Sequence, residues 1–343
     1  MNRVHVGRLI GHPATAGLAA AVVLALVARA LGPILPALLS EVAVAIILGV
    51  VVGNLLPVAN RVRPGTKIAV GPVLKVGIVL LGARLALDEV LTDGLAVLAF
   101  VALCVGAALA VGTSLAQRQA RPRLGLLIAA GTAICGNSAI VAVAPLVAAD
   151  DRDVAFAVAT ITGFGMLAVV LYPTVGDLIG MTSEAFGLWA GTAINDTSQV
   201  VAAGYAFDSV AGDTAVVTKL TRNLLIAPAL IALSLVVSGG VPDGPRQLVR
   251  RSVPLFVIGF LLMATARSVG LLDFAIAGRS ASDFASDGAA AAILVALAGI
   301  GLQTDVRALV AVGTRPLALA AVLSLGLATA SLGLIITLGL GTR

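Results

Sequence analysis

Apolar blocks of about 20 residues, separated by short charged clusters, recur along the whole chain, and each is as long as a helix needs to cross a bilayer. Lipid offers no partner to backbone N–H and C=O groups, so such blocks satisfy them within helices. About eleven blocks can be delimited, at approximately 14–32, 41–57, 68–86, 95–116, 124–149, 154–175, 185–207, 214–238, 253–269, 287–303 and 316–340. Charged residues make up 11% of the chain, against about 25% in soluble domains, which leaves no stretch for a soluble module. The expected fold class is an all-α polytopic membrane protein with about 11 transmembrane helices, residues 1–343 forming a single integral membrane transport domain. The first block is too long for the core of a cleaved signal peptide and is read as an uncleaved helix.

Lys and Arg in the short loops set orientation. Arg3, Arg8, Arg61, Arg63, Lys67, Arg118, Arg121, Arg123, Arg246, Arg250, Arg251, Arg307 and Arg315 collect on one side. Asp88, Glu89, Asp93, Asp150, Asp151, Asp153, Asp208 and Asp213 collect on the other. The N-terminus is therefore expected in the cytoplasm. The loop with Asp177 and Glu184 breaks the pattern, since it should lie inside yet holds no basic residue. On the same logic, block 124–149 is expected to cross fully with a break halfway, because a re-entrant hairpin would return the acidic 150–153 loop to the basic side.

Two blocks are interrupted by polar runs that begin alike. Gly131-Thr132-Ala133-Ile134-Cys135-Gly136-Asn137-Ser138 shares its first four residues with Gly191-Thr192-Ala193-Ile194-Asn195-Asp196-Thr197-Ser198-Gln199. Paired, glycine-started breaks in apolar segments point to a transporter's binding site. A broken helix frees backbone N–H groups, which attract anions. Small residues also serve close helix packing, which explains Gly131 and Gly191 but not the row from Asn195 to Gln199. The candidate substrate-binding residues are thus Thr132, Cys135, Gly136, Asn137, Ser138, Asn195, Asp196, Thr197, Ser198 and Gln199.

A mid-membrane carboxylate costs about 2.5–3.5 kcal/mol on insertion scales, so Asp196 is either a proton or cation relay or the structural partner of Lys219 or Arg222. Lys219, Arg222 and Asn223 share a helix face. Lys219 and Arg222 are candidate oxyanion ligands; the alternative is snorkelling, or pairing with Asp208 and Asp213. Lys75, in the middle of block 68–86, is expected to be buried against the bundle. Gly82-x-x-Leu85-x-x-Asp88 also resembles Gly299-x-x-Leu302-x-x-Asp305, with the two Asp residues on opposite sides, as an inverted repeat requires.

The two interrupted runs, together with Lys219-Leu220-Thr221-Arg222, Leu80-Leu81-Gly82 and Gly301-Leu302-Gln303-Thr304-Asp305, resemble the YeiH-type family of bacterial membrane proteins. The resemblance covers nearly the whole chain and implies export of sulfate. That family is similar to the cation/proton antiporter and bile-acid symporter group. The likeness implies an inverted-repeat transporter fold with two discontinuous helices, broken at Cys135–Asn137 and Asn195–Thr197. In that group the crossing pair is antiparallel, whereas two full crossings one span apart run in the same direction.

The sequence therefore reads as a secondary transporter of the bacterial inner membrane, exporting a small inorganic or sulfonate-type anion. The alternative is a cation/proton antiporter using Asp196. Protons and a second copy of the chain stand as further partners beside the lipid bilayer. The dispersed basic residues form no nucleic-acid patch. No cofactor, metal or enzymatic activity is expected: both histidines lie in the N-terminal tail, and no Walker sequence occurs.

Overall fold

The computed structural model describes residues 12–31, 41–55, 65–84, 87–238, 255–276, 278–303 and 314–341. In chain order its helices are α1 (His12–Leu31), α2 (Glu41–Leu55), α3 (Gly65–Arg84) and α4 (Leu87–Gln117). Next come α5 (Pro122–Ala133), α6 (Asn137–Val143), α7 (Asp151–Leu178), α8 (Ser183–Ala193) and α9 (Thr197–Phe207). Then follow α10 (Ser209–Leu224), α11 (Ile226–Ser238), α12 (Leu255–Ser268), α13 (Ala281–Gln303) and α14 (Thr314–Leu338). A two-residue antiparallel pair, β1 (Ala275–Ile276) with β2 (Arg279–Ser280), precedes α13.

Five of the described helices, within α3, α4, α7, α13 and α14, contain a stretch long and apolar enough to cross a membrane. A sixth span arises if the bent pair α10–α11 counts as one. The chain is thus a mostly helical, multi-pass membrane protein. These elements gather into two compact units, one from Met1–Asp88 with Ile258–Val306, the other from Glu89–Val257 with Arg307–Arg343.

In the first unit, α13 packs on α1, α2 and α3. Glycines let backbones touch where α2 meets α13: a Cβ on Gly49 would stand 2.8 Å from Gly301 Cα, the close approach small residues allow in membranes. Pro72, which has no N–H to give, sits in a π-helical turn at Ala69–Val73 of α3. Lys75, expected to be buried, is exposed. Of the two resembling Gly-x-x-Leu-x-x-Asp runs, Leu85 and Asp305 lie outside the described residues.

The second unit corrects the reading of block 124–149. Helix α5 stops at Ala133, α6 runs only to Val143, and turns fill 144–148. Arg121, just before α5, bonds Asp153, in the first turn of α7, at 2.7 Å. Both ends of the segment therefore lie together, and it doubles back as a hairpin instead of crossing. The acidic 150–153 loop sits beside the basic cluster because its Asp153 neutralises Arg121. Helices α8 and α9 form a second hairpin: Ser183 Oγ donates to Asp208 Oδ2 at 2.5 Å, and the Phe186 and Phe207 rings stack 4.1 Å apart at its base.

Helix α7 passes both hairpins. Near its start it holds Asp153 against Arg121, in its middle Thr162 meets Asn137 and Gln199, and towards its end Gly176 packs under Phe186 and Phe207. Its 28 residues measure about 42 Å at 1.5 Å each. The hairpin bases therefore lie at opposite ends of α7, and the turns meet beside its middle.

Candidate functional site

The shared Gly-Thr-Ala-Ile runs end the first arm of each hairpin. Helix α5 ends at Ala133 with Ile134 leaving helical geometry, and α8 ends at Ala193 with Ile194 extended. The second arms start from Gly136 and Asp196 as N-caps. The two turns touch: a Cβ on Gly136 would lie 3.3 Å from Asn195 O. Gly136 has φ +64° and ψ −126°, a conformation open to glycine and costly for other residues.

Helix α10 runs alongside the second hairpin, with Gly187 against Thr214 and Gly191 against Thr218. Its tight fit carries Lys219 and Arg222 to the meeting point, where both are 0% exposed. Arg222 ties the two hairpins together. Its Nε donates to Ala133 O at 3.2 Å and its Nη2 to Thr132 O, both in the first hairpin. Its Nη1 donates to Thr192 O at 2.7 Å and Ile194 O at 2.9 Å, in the second. Lys219 Nζ donates to Ile194 O at 3.0 Å and Asn195 O at 2.5 Å. Carbonyls at the ends of α5 and α8 carry the negative pole of each helix, which favours cations there.

Neither cation snorkels or pairs with a loop carboxylate. Asp208 caps α10 and accepts from Ser183, and Asp213 accepts from Tyr205. Asp196 is not their ion-pair partner either. Its Oδ1 accepts from the backbone N of Ser198 at 2.9 Å and from Ser198 Oγ at 2.6 Å. Among the described residues, no carboxylate lies within ion-pair distance of Lys219 or Arg222, and every hydrogen bond the two side chains make goes to a backbone carbonyl. An arginine has five N–H donors, and four of Arg222's contacts go to backbone. Its fork is nearly used up in holding the hairpins, so the role of oxyanion fork is filled by backbone acceptors.

The remaining candidates divide by exposure. Thr132, Cys135, Gly136, Asn195 and Gln199 are buried; Asn137, Asp196, Thr197 and Ser198 are half-buried, and Ser138 is exposed. The open side is therefore formed by residues that begin the second arms. Gln199 Nε2 donates to Thr162 O at 3.0 Å, and Asn137 Nδ2 to Thr162 Oγ1 at 3.5 Å. Asn137 Oδ1, Asn195 Oδ1 and Gln199 Oε1 are buried without a hydrogen-bond partner. The reading of residues alone overlooked Thr162. Its signal was the small, polar stretch Thr160-Ile161-Thr162-Gly163-Phe164-Gly165 in the middle of an apolar block. Trp189 packs in the core, its Nε1 donating to Ala328 O at 2.9 Å and its ring stacked 4.3 Å from Tyr172.

Helices of spanning length, with a polar, cationic centre where two hairpins meet, define a multi-pass α-helical membrane protein. The chain belongs to the family described as conserved hypothetical protein 698, the UPF0324 or YeiH type, whose model matches residues 16–320. It is 32% identical over 310 residues to a UPF0324 membrane protein of Clostridium tetani, covering 86% of this chain and 88% of that one. Identity is 37% over 287 residues to a UPF0324 membrane protein of Corynebacterium glutamicum, covering 82% and 80% respectively. The UPF0324 membrane protein TauZ of Paracoccus denitrificans is 33% identical over 280 residues, covering 80% and 81%. No solved structure matches.

Proposed function

We propose that this chain is a secondary transporter that exports a small anion, sulfate or a related oxyanion or sulfonate, across the bacterial inner membrane. The observation that carries the reading is the burial of Lys219 and Arg222 with no carboxylate partner among the described residues. Uncompensated charge in a low-dielectric site is costly, and an arriving anion offsets it. All of residues 1–343 serve one transport domain in this reading, without a resident cofactor.

The two hairpins act in this proposal as an inverted repeat, entering the membrane from opposite faces with their turns at mid-depth. The eleven blocks then become about nine crossings and two re-entrant hairpins. This arrangement also removes the anomaly of the Asp177–Glu184 loop. Helix α7 crosses outward from the basic cluster, so Asp177, Glu184, Asp208 and Asp213 all fall outside, and the N-terminus stays cytoplasmic. Sulfate leaving with two charges gains about 2.3 kcal/mol per charge per 100 mV from an inside-negative potential, so no ATP site is required.

The test is counterflow of radiolabelled sulfate, sulfite and phosphate in proteoliposomes, comparing wild type with Lys219→Gln and Asp196→Asn. Saturable flux of one of these anions that falls at least tenfold in Lys219→Gln supports the reading. Flux of none of them, with exchange of protons for cations instead, transfers it to the antiporter alternative. That alternative draws support from the half-buried carboxylate of Asp196 at the hairpin turn, and Asp196→Asn would abolish its exchange.

A further inference from the structure

Lys75 stands in the middle of α3, ten residues after Gly65 and nine before Arg84, in a stretch long and apolar enough to cross a membrane. At 1.5 Å per residue, about 15 Å of helix separate it from either end, half the hydrocarbon thickness. Snorkelling serves charges near helix ends; a four-carbon stem does not bridge this depth. Yet the side chain is exposed, as are Pro72 and Val76 on the same face. The backbone beside it is irregular too. Pro72 supplies no N–H, and the ladder widens into the π-helical turn Ala69–Val73, a feature that falls mostly at functional sites. Irregular backbone at membrane depth is tolerated where protein covers it or where it lines a water-filled cavity. Pro72 is exposed and a Cβ on Gly71 would meet nothing within 4 Å, so the described residues leave this side of the turn open.

A lysine so placed is costly in lipid and needs water or a partner of opposite charge. Headgroup phosphates lie at the interface, far from this depth. The carboxylates of the five spanning stretches, Asp153, Asp177, Asp283 and Asp287, stand towards their ends. Asp153 and Asp287 are taken by Arg121 and Arg279. Asp196, at its hairpin turn, is one carboxylate against Lys219 and Arg222, and a second copy of the chain would bring the same excess of cations. We propose that the Pro72–Val76 face of α3 borders water and that Lys75 is an anion-binding residue on the passenger's path, favouring doubly over singly charged oxyanions. An ammonium attracts an anion in proportion to the anion's charge, so Lys75 favours sulfate over a monovalent sulfonate. Its place on a transport path rests on the exporter reading; its binding of anions does not.

The test uses the full-length chain in proteoliposomes, with Cys104→Ala, Cys135→Ala and Val76→Cys, a position 54% exposed. This thiol is expected to react with an anionic methanethiosulfonate that carries a sulfonate, since a thiolate forms where water reaches it. Sulfate, against gluconate at equal ionic strength, should slow the reaction about threefold or more by competing for Lys75, and adding Lys75→Gln should remove the slowing. No reaction puts the face in lipid or in packed protein and overturns the site; so does a rate that sulfate leaves unchanged, or slows equally with and without Lys75→Gln. Flux in the chain with its native cysteines is the second measurement, independent of how the cysteine variants fold. Lys75→Gln should raise the half-saturating concentration about tenfold for sulfate and about threefold for ethanesulfonate, the ratio that charges of two and one require. Lys75→Arg should restore most of both. Equal changes for the two anions, or none, overturn the role of Lys75. Protection of Val76→Cys through Lys75 without anion flux in wild type leaves the binding site standing and removes the exporter reading, and flux without that protection does the reverse.

Discussion

At the scale of single residues, Arg222 and Lys219 share a helix face but do different work. Arg222 spans both hairpins with its planar fork, whereas Lys219 holds only the second. Arg222→Lys keeps the charge but not the reach. It is expected to orphan at least two carbonyls at about 1–3 kcal/mol each, lowering the unfolding temperature as well as flux. Lys219→Gln should leave stability closer to wild type and weaken anion affinity; equal thermal losses in the two variants would remove this division of labour. Gly136→Ala is expected to cost about 1–3 kcal/mol, from its backbone conformation and its contact with Asn195 O, read by denaturant or thermal unfolding. The sequence made the polar residues visible but not their partners. Lys219 and Arg222 bind backbone oxygens, and backbone acceptors leave no trace in residue identity.

At the scale of elements, breaks near Cys135–Asn137 and Asn195–Thr197 were legible because a row of polar residues is costly in the middle of an apolar segment, and the helices stop just before them, at Ala133 and Ala193. What the second arm does after the break was not. Charge counting assumes that acidic loops lie away from basic ones, and the Arg121–Asp153 pair defeats it locally. The hairpin reading is checked by accessibility. With Cys104 and Cys135 replaced by Ala, cysteines placed at Arg118 and at Ala149 are expected to react with an impermeant maleimide from the same face, and one at Ser209 from the opposite face. Labelling of positions 118 and 149 from different faces would restore a full crossing. Gly165→Ala, which forces a methyl into Gln199, is expected to lower stability, read by thermal unfolding.

At the scale of the whole molecule, the mostly helical membrane fold could be read from block length and hydropathy alone, since lipid leaves little else open to such segments. Its division into two compact units could not. Residues from both termini and the middle of the chain are interleaved in them, and apolar blocks of equal length carry no label for the unit they join. If the passenger carries net negative charge, efflux is electrogenic. An inside-negative potassium diffusion potential of about 100 mV is expected to accelerate sulfate efflux from proteoliposomes, and reversing its sign to retard it. Indifference to the sign would mean that the transported complex is neutral.

The position of Arg222 in the chain bears on biosynthesis. Both hairpins precede α10, so they leave the ribosome before the residue that fastens them, and until it arrives their closing carbonyls await a donor. A nascent chain halted after residue 208 should hold two unfastened hairpins, open to proteases and quality control, and one extended past residue 224 should acquire protection at both turns in a single step.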